Sequence, residues 1–258
     1  MPFPARASDC GPTRARCTDG ILGIENATCG QGAAIPAAEY LRVPKNDWYR
    51  KTTWTIDDAT DFFAQLARSQ TDIHRAQYLK IQALTLKDTK QYQAALELVE
   101  TAIEKFPNRE MTQLRKLRAE CLWALDRRVE SLEAFRSAFQ AQREQRNVLC
   151  NVALAFAEAF YDVDGGAHRS ELLELLREEV AQPESFGPFL GFRYALMFTR
   201  LLAGLGQMNA AAKWADRALS AQRAEISGLR HYKPVGWASG IDEGTEIWLR
   251  QLAARGNE

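Results

Sequence analysis

AQYLKIQALTLKDTKQYQAALELVETAIEKFP, residues 76–107, is the stretch on which the fold turns. Leu79, Ala83 and Leu86 fall three and four residues apart, the spacing of one face of an α-helix. The short polar run Asp88-Thr89-Lys90 interrupts them. Ala95, Leu96, Val99, Ala102, Ile103 and Phe106 then lay down a second stripe. Pro107 ends it, because proline has no amide hydrogen for the helix ladder. So short a connection returns the second helix antiparallel against the first. Ala83, Ala95 and Ala102 are small where the two helices must approach, so the pair is expected to pack through alanines.

The same device recurs on both sides. Leu114, Leu117, Cys121 and Leu125 mark a helix over 111–125, and Leu132, Phe135, Ala138 and Phe139 one over 129–142. The segment 147–161 is apolar nearly all round (Val148, Leu149, Val152, Leu154, Phe156, Phe160), the composition of a helix buried between others. Asp162-Val163-Asp164-Gly165-Gly166 breaks it, as a turn and not a phosphate cradle, and a helix over 169–181 follows. Tyr194, Met197, Phe198, Leu201 and Leu202 define a helix over 189–204, ended by Gly204 and Gly206, and another spans 208–222. The Gly/Pro-containing stretch 228–240 separates a last short helix at 242–254. Upstream, Thr55 is placed to cap a helix over 57–68 whose Ala59, Phe62, Phe63 and Leu66 share a face. No segment alternates with period two for long enough to be a core strand. The expected fold is all-α, with helix pairs repeating at about 34 to 36 residues.

These pairs resemble tetratricopeptide repeats. With Ala76 as repeat position 1, Ala83 falls at 8, Tyr92 at 17, Ala95 at 20, Ala102 at 27 and Pro107 at 32. A second match starts at Thr112, with Ala119 at 8, Ser131 at 20, Phe135 at 24 and Ala138 at 27. A third starts at Phe192, with Thr199 at 8, Gly206 at 15, Ala211 at 20 and Ala218 at 27. Residues 147–183 read as a degenerate repeat with an inserted loop. The family's Trp at position 4 is replaced by Leu79, Arg115 and Ala195. The flanks Asp47-Trp48-Tyr49-Arg50, Thr53-Trp54, Arg75-Ala76-Gln77-Tyr78-Leu79 and Ser227-Gly228-Leu229-Arg230-His231-Tyr232 resemble a group of bacterial proteins with divergent helices of this type. The resemblance implies an α-solenoid of antiparallel helix pairs wound into a right-handed superhelix. The repeats would cover about 76–107, 112–143, 147–183 and 192–223, within a helical domain over 46–258. The helix at 57–68 is then an extra N-terminal element. The helix at 242–254, with Trp248 and Leu252 on one face, is the cap that stacked repeats need.

The chain has 258 residues, with 33 Lys and Arg against 33 Asp and Glu. Zero net charge argues against a partner such as nucleic acid or an anionic membrane, both of which favour a basic excess. No run is apolar and long enough to span a bilayer and no signal peptide is visible, so a cytoplasmic protein is expected. Residues 1–45 hold five of the nine prolines and show no persistent period, which predicts an irregular or disordered extension. The five cysteines (Cys10, Cys17, Cys29, Cys121, Cys150) lack zinc-type spacing, and Cys121 and Cys150 sit in apolar helical patterns. His74, His168 and His231 are far apart, and His74 is expected to precede a helix. Glu178 and Glu179 are neighbours on a helix and do not face each other, so they are not an acid–base pair. No metal, cofactor or enzymatic activity is expected.

What the resemblance implies for function is binding. The first helix of each repeat faces a concave groove, and the groove-facing positions here are Gln77, Lys80, Leu84, Lys87 and Asp88; then Gln113, Lys116, Glu120, Trp123 and Ala124; then Arg193, Leu196, Arg200, Ala203 and Gly204. Lys80, Lys87, Lys116, Arg193 and Arg200 outnumber Asp88 and Glu120, which predicts a mildly basic groove containing Trp123. The expected function is a protein- or peptide-binding adaptor or scaffold whose partner offers an acidic segment. The alternative is a bacterial immunity or regulatory protein that occludes a toxin or enzyme. Leu84 stands where a groove-facing Asn serves chaperone-tail binding in this family, so that partner is not expected. The stretch Arg230-His231-Tyr232-Lys233-Pro234-Val235-Gly236-Trp237 reads as a strap over the last repeat.

Overall fold

The structure, a computed structural model, describes residues 47–107, 110–145, 150–180, 187–223 and 242–255. The extension 1–45, the strap 228–240 with His231, and Cys10, Cys17 and Cys29 lie outside the described residues. Among the described residues the chain forms ten α-helices and no strand: α1 (Ile56–Ala67), α2 (Asp72–Asp88), α3 (Tyr92–Lys105), α4 (Met111–Ala124), α5 (Arg128–Glu144), α6 (Val152–Phe160), α7 (Arg169–Glu179), α8 (Gly187–Gly204), α9 (Met208–Arg223) and α10 (Glu243–Arg255). Each helix packs on its neighbour in sequence, and α2, α4, α6 and α8 also meet one after another.

The small residues explain the pairing. Ala83, Ala95, Ala102, Ala119, Ser131, Ala138, Thr199, Ala211 and Ala218 are all fully buried, so the helices of a pair touch through positions 8, 20 and 27. Ser131 and Thr199 add a hydroxyl without adding an orphan. Ser131 Oγ donates to Ala119 O across the α4/α5 contact (2.9 Å), and Thr199 Oγ1 donates to Ala195 O (2.8 Å).

The three turns inside the pairs share one geometry. Lys90 (φ 62°), Asp126 (φ 61°) and Gly206 (φ 75°) are left-handed and occupy the same repeat position, 15. In each turn the next amide reaches back to the carbonyl five residues earlier: Gln91 N to Leu86 O (2.8 Å), Arg127 N to Leu122 O (2.9 Å) and Gln207 N to Leu202 O (2.9 Å). This closes the first helix as a Schellman-type cap does. Only Gly206 adopts the conformation without a Cβ penalty. Lys90→Gly with Asp126→Gly is therefore expected to raise stability by roughly 1–2 kcal/mol, read as a higher denaturant midpoint at unchanged slope. A fall in midpoint would show that these turns carry no backbone strain.

Long-range polar bonds follow the same repeat. Lys87 Nζ meets Glu120 across α2 and α4 with 33 residues between them. Arg136 holds Glu171 and Arg143 holds Glu178, each pair bidentate, across α5 and α7 at a separation of 35. Arg193 holds Glu158 across α8 and α6, again at 35. These bonds stitch α2 to α4, α5 to α7 and α6 to α8, helices at equivalent places in successive pairs.

The N-terminal edge carries its own closure. Thr55 and Asp58 form a capping box on α1, with Thr55 Oγ1 accepting from Asp58 N (3.1 Å) and the Asp58 carboxylate accepting from Thr55 N (3.0 Å). These bonds and the Thr53 hydroxyl hold the Asp58 carboxyl down at about 2. The buried Gln82 side chain binds both N and O of Lys51 (2.8 and 2.7 Å), which fixes the strand-like lead-in to α1. α2 begins at Asp72, ahead of His74, because Thr71 Oγ1 caps it by accepting from His74 N (3.3 Å). His74 therefore lies in the first turn of α2 and not before it. α6 is shorter than the expected 147–161, because described helix begins only at Val152; Val148 and Leu149 lie outside the described residues. Cys121 and Cys150 are buried, and burial pushes the Cys121 thiol up to about 12. None of the described helices is long and apolar enough to cross a membrane.

Candidate functional site

The first helices of successive pairs, α2, α4, α6 and α8, line an open groove made of two adjoining clefts. The first, about 320 Å³, is lined by Lys80, Leu84 and Lys87 from α2, Gln113, Lys116, Leu117 and Glu120 from α4, and Cys150 and Asn151 just before α6. The second, about 390 Å³, shares Lys87, Lys116 and Glu120 and adds Tyr92, Trp123, Phe135, Ala155, Ala159, Glu158 and Arg193. Lys80, Lys87, Lys116, Trp123 and Arg193 therefore lie along one groove. Arg200 lines neither cleft: its guanidinium sits 5.1 Å from the centre of the Tyr161 ring. Leu84 is 37 % exposed, an apolar side chain left on the groove floor.

The groove is less basic than its lysines and arginines suggest. Lys80 Nζ meets Glu110 at 3.0 Å and donates to Gln113 Oε1 at 2.7 Å. Lys87 meets Glu120 at 2.5 Å, and Arg193 is bidentate on Glu158. Four cations face three carboxylates. Sequence register found Glu120 but missed Glu110, which precedes its helix, and Glu158, which sits on the degenerate pair. Burial opposes the charge on Lys87 and on Arg193, and in each case the partner carboxylate outweighs it, so both titrate above their usual range.

Lys116 is the exception in this ladder. Glu120 is shared: it lies 2.5 Å from Lys87 but 3.7 Å from Lys116. The closest acceptor of Lys116 Nζ is instead the neutral carbonyl of Cys150, at 3.0 Å. Lys116 also lies between the two clefts and lines both.

Beneath the groove, Glu179 organises the start of α6. Its carboxylate accepts from Gln142 Nε2 (2.7 Å), Ala153 N (3.0 Å), Leu154 N (3.2 Å) and Tyr194 OH (2.8 Å). Asn151, before α6, is left-handed (φ 52°) and makes no cap bond of its own, so Glu179 from the end of α7 supplies the cap. The Tyr194 hydroxyl lies 3.1 Å from Asn151 Oδ1, tying the lip of the first cleft to α8, the helix that carries Arg193. Glu178 points away, to Arg143, as expected of adjacent helix positions.

Trp123 is held from two sides. The Arg128 guanidinium sits 3.4 Å from its ring centre, and Phe160 packs at 4.7 Å. Among the described residues no group of three or more His, Cys, Asp or Glu could hold a metal ion. No protein-family model matches the chain, and neither does any curated sequence or solved structure. The class this chain defines by its own geometry is an all-helical protein of repeated, consecutively packed helix pairs with a polar and aromatic groove along one side.

Proposed function

We propose that the chain is a tetratricopeptide-like solenoid that binds an acidic peptide segment of a partner protein in this groove, as an adaptor or scaffold. The solenoid reading is supported by the shared left-handed turns, the buried small residues at positions 8, 20 and 27, and the polar stitches at intervals of 33 to 35 residues. The binding reading rests on one observation. A single carboxylate, Glu120, serves two ammonium groups, and Lys116 on the open groove has it only at 3.7 Å, farther than the neutral carbonyl of Cys150. A peptide carboxylate at Lys116 supplies the negative charge that Glu120 must otherwise share with Lys87, in a half-buried setting where such a pair is screened less than at an open surface.

Titrating the full chain with short fluorescent acidic peptides tests this. Lys80→Glu combined with Lys116→Glu is expected to weaken binding by roughly 100-fold, and binding is expected to weaken as salt rises. Equal affinity of the wild type and the double variant for every acidic peptide that binds would rule the groove out.

A further inference from the structure

The acid-binding role of Lys116 leaves the second cleft without an occupant, and its walls specify one. Resting on the groove reading above, we propose that the second cleft receives the aromatic side chain of the bound peptide, from a residue next to or two places from the carboxylate held at Lys116.

The cleft exists because α6 is cut down at one face. Ala155 and Ala159, one helical turn apart, present only methyl groups there, while the other positions of the helix carry Val152, Leu154, Phe156 and Phe160 into the core. Tyr92, Trp123 and Phe135 line the same cleft. A flat ring among aromatic and methyl neighbours gains more than a branched aliphatic group does, since offset and edge-to-face ring contacts add to the burial of area. The volume of about 390 Å³ lies within the range of ligand-sized pockets.

The charges at the rim select against a cationic guest. Glu120 is already within 2.5 Å of Lys87, and Glu158 already holds Arg193 through two bonds. The ammonium and guanidinium groups of Lys87 and Arg193 therefore edge a cleft whose carboxylates are engaged, and a ring between them meets cations at its face. The spacing also fits. Both clefts are lined by Lys116, so an anion at Lys116 and a ring in the second cleft are separated by no more than one or two residues of an extended peptide, about 3–7 Å.

The test compares labelled acidic peptides that differ only in Phe or Ala, in one pair at the residue beside the acid and in a second pair two residues from it, titrated against the full chain. The Phe peptide is expected to bind about ten-fold tighter. Ala159→Leu, which plugs the cleft with no change in charge, is expected to erase that preference and leave the Ala peptide within about two-fold of its wild-type affinity. Ala155→Leu provides a second plug, and far-UV circular dichroism confirms that each variant is folded. If Phe and Ala peptides bind equally in both pairs while Lys116→Glu still abolishes binding, the aromatic pocket is wrong and the acid site stands. A preference for Lys or Arg over Phe at that residue overturns the pocket as well. If no acidic peptide binds in a Lys116-dependent way, the groove reading fails and takes this inference with it.

Discussion

Glu179→Ala is expected to cost about 3–5 kcal/mol of folding stability, far more than its place at a helix end suggests. The carboxylate receives four donors from three elements: Gln142 of α5, the first amides of α6, and Tyr194 of α8. Truncation leaves the Ala153 and Leu154 amides and the fully buried Tyr194 side chain without that acceptor. It also removes a negative charge from the N-terminus of α6, where the helix dipole favours one. Glu179→Gln keeps the size and one acceptor oxygen but turns an amide NH2 toward donors, so roughly half of the loss should remain. Tyr194→Phe alone is expected to cost about 1–2 kcal/mol, and less in the Glu179→Ala background, because the two share one bond. Denaturant unfolding of the four proteins closes the cycle. An additive cycle would show that the hydroxyl and the carboxylate do not cooperate.

That node shows which parts of the molecule could be read in advance. The helices and their pairing were legible because they follow from local spacing: Leu79, Ala83 and Leu86 on one stripe, alanines where helices touch, Pro107 at an end. The start of α2 was missed although Thr71-Asp72 is an ordinary cap signal, because the apolar stripe begins later. The left-handed turns at Lys90 and Asp126 were hidden because neither residue announces that conformation, whereas Gly206 does. In the groove, Lys80, Lys87, Lys116, Trp123 and Arg193, grouped by the register, line the two adjoining clefts. It overestimated the positive charge, since the balancing Glu110 and Glu158 come from positions outside the regular pattern. Arg200 was assigned to the groove by the same periodicity, but the Tyr161 ring from the irregular loop before α7 engages its guanidinium. Glu179 could not be read at all: its role depends on where the end of α7 lies relative to the start of α6, a tertiary fact. Neutral net charge keeps its meaning as an argument against a general polyanion partner. Locally it is realised as a ladder of paired charges with one under-compensated rung at Lys116.

Phe135→Ala is expected to lose about 3–5 kcal/mol, the range for removing a fully buried ring from a core that cannot collapse around it. Phe135 is 1 % exposed and lies between α5 and α6, where one helix pair meets the next. Its ring is parallel to that of Phe156 (centroids 5.1 Å, 4° between planes) and perpendicular to that of Phe160 (6.1 Å, 85°). Phe160 in turn packs on Trp123, so the ring cluster runs from the junction to the groove wall. Phe135→Leu retains most of the buried area and should cost clearly less than Ala. Because each helix packs mainly on its neighbours in sequence, the lesion weakens the coupling between the helices before α5 and those after α6. Unfolding should then lose cooperativity: the tryptophan signal, with Trp48 and Trp54 before the junction and Trp214 and Trp248 after it, should no longer coincide with the loss of far-UV ellipticity. The same variant removes a lining ring of the second cleft, so a folded Phe135→Ala protein should discriminate less between Phe and Ala peptides than the wild type. A cost below about 1 kcal/mol with coincident transitions would show that the α5/α6 junction does not depend on this ring.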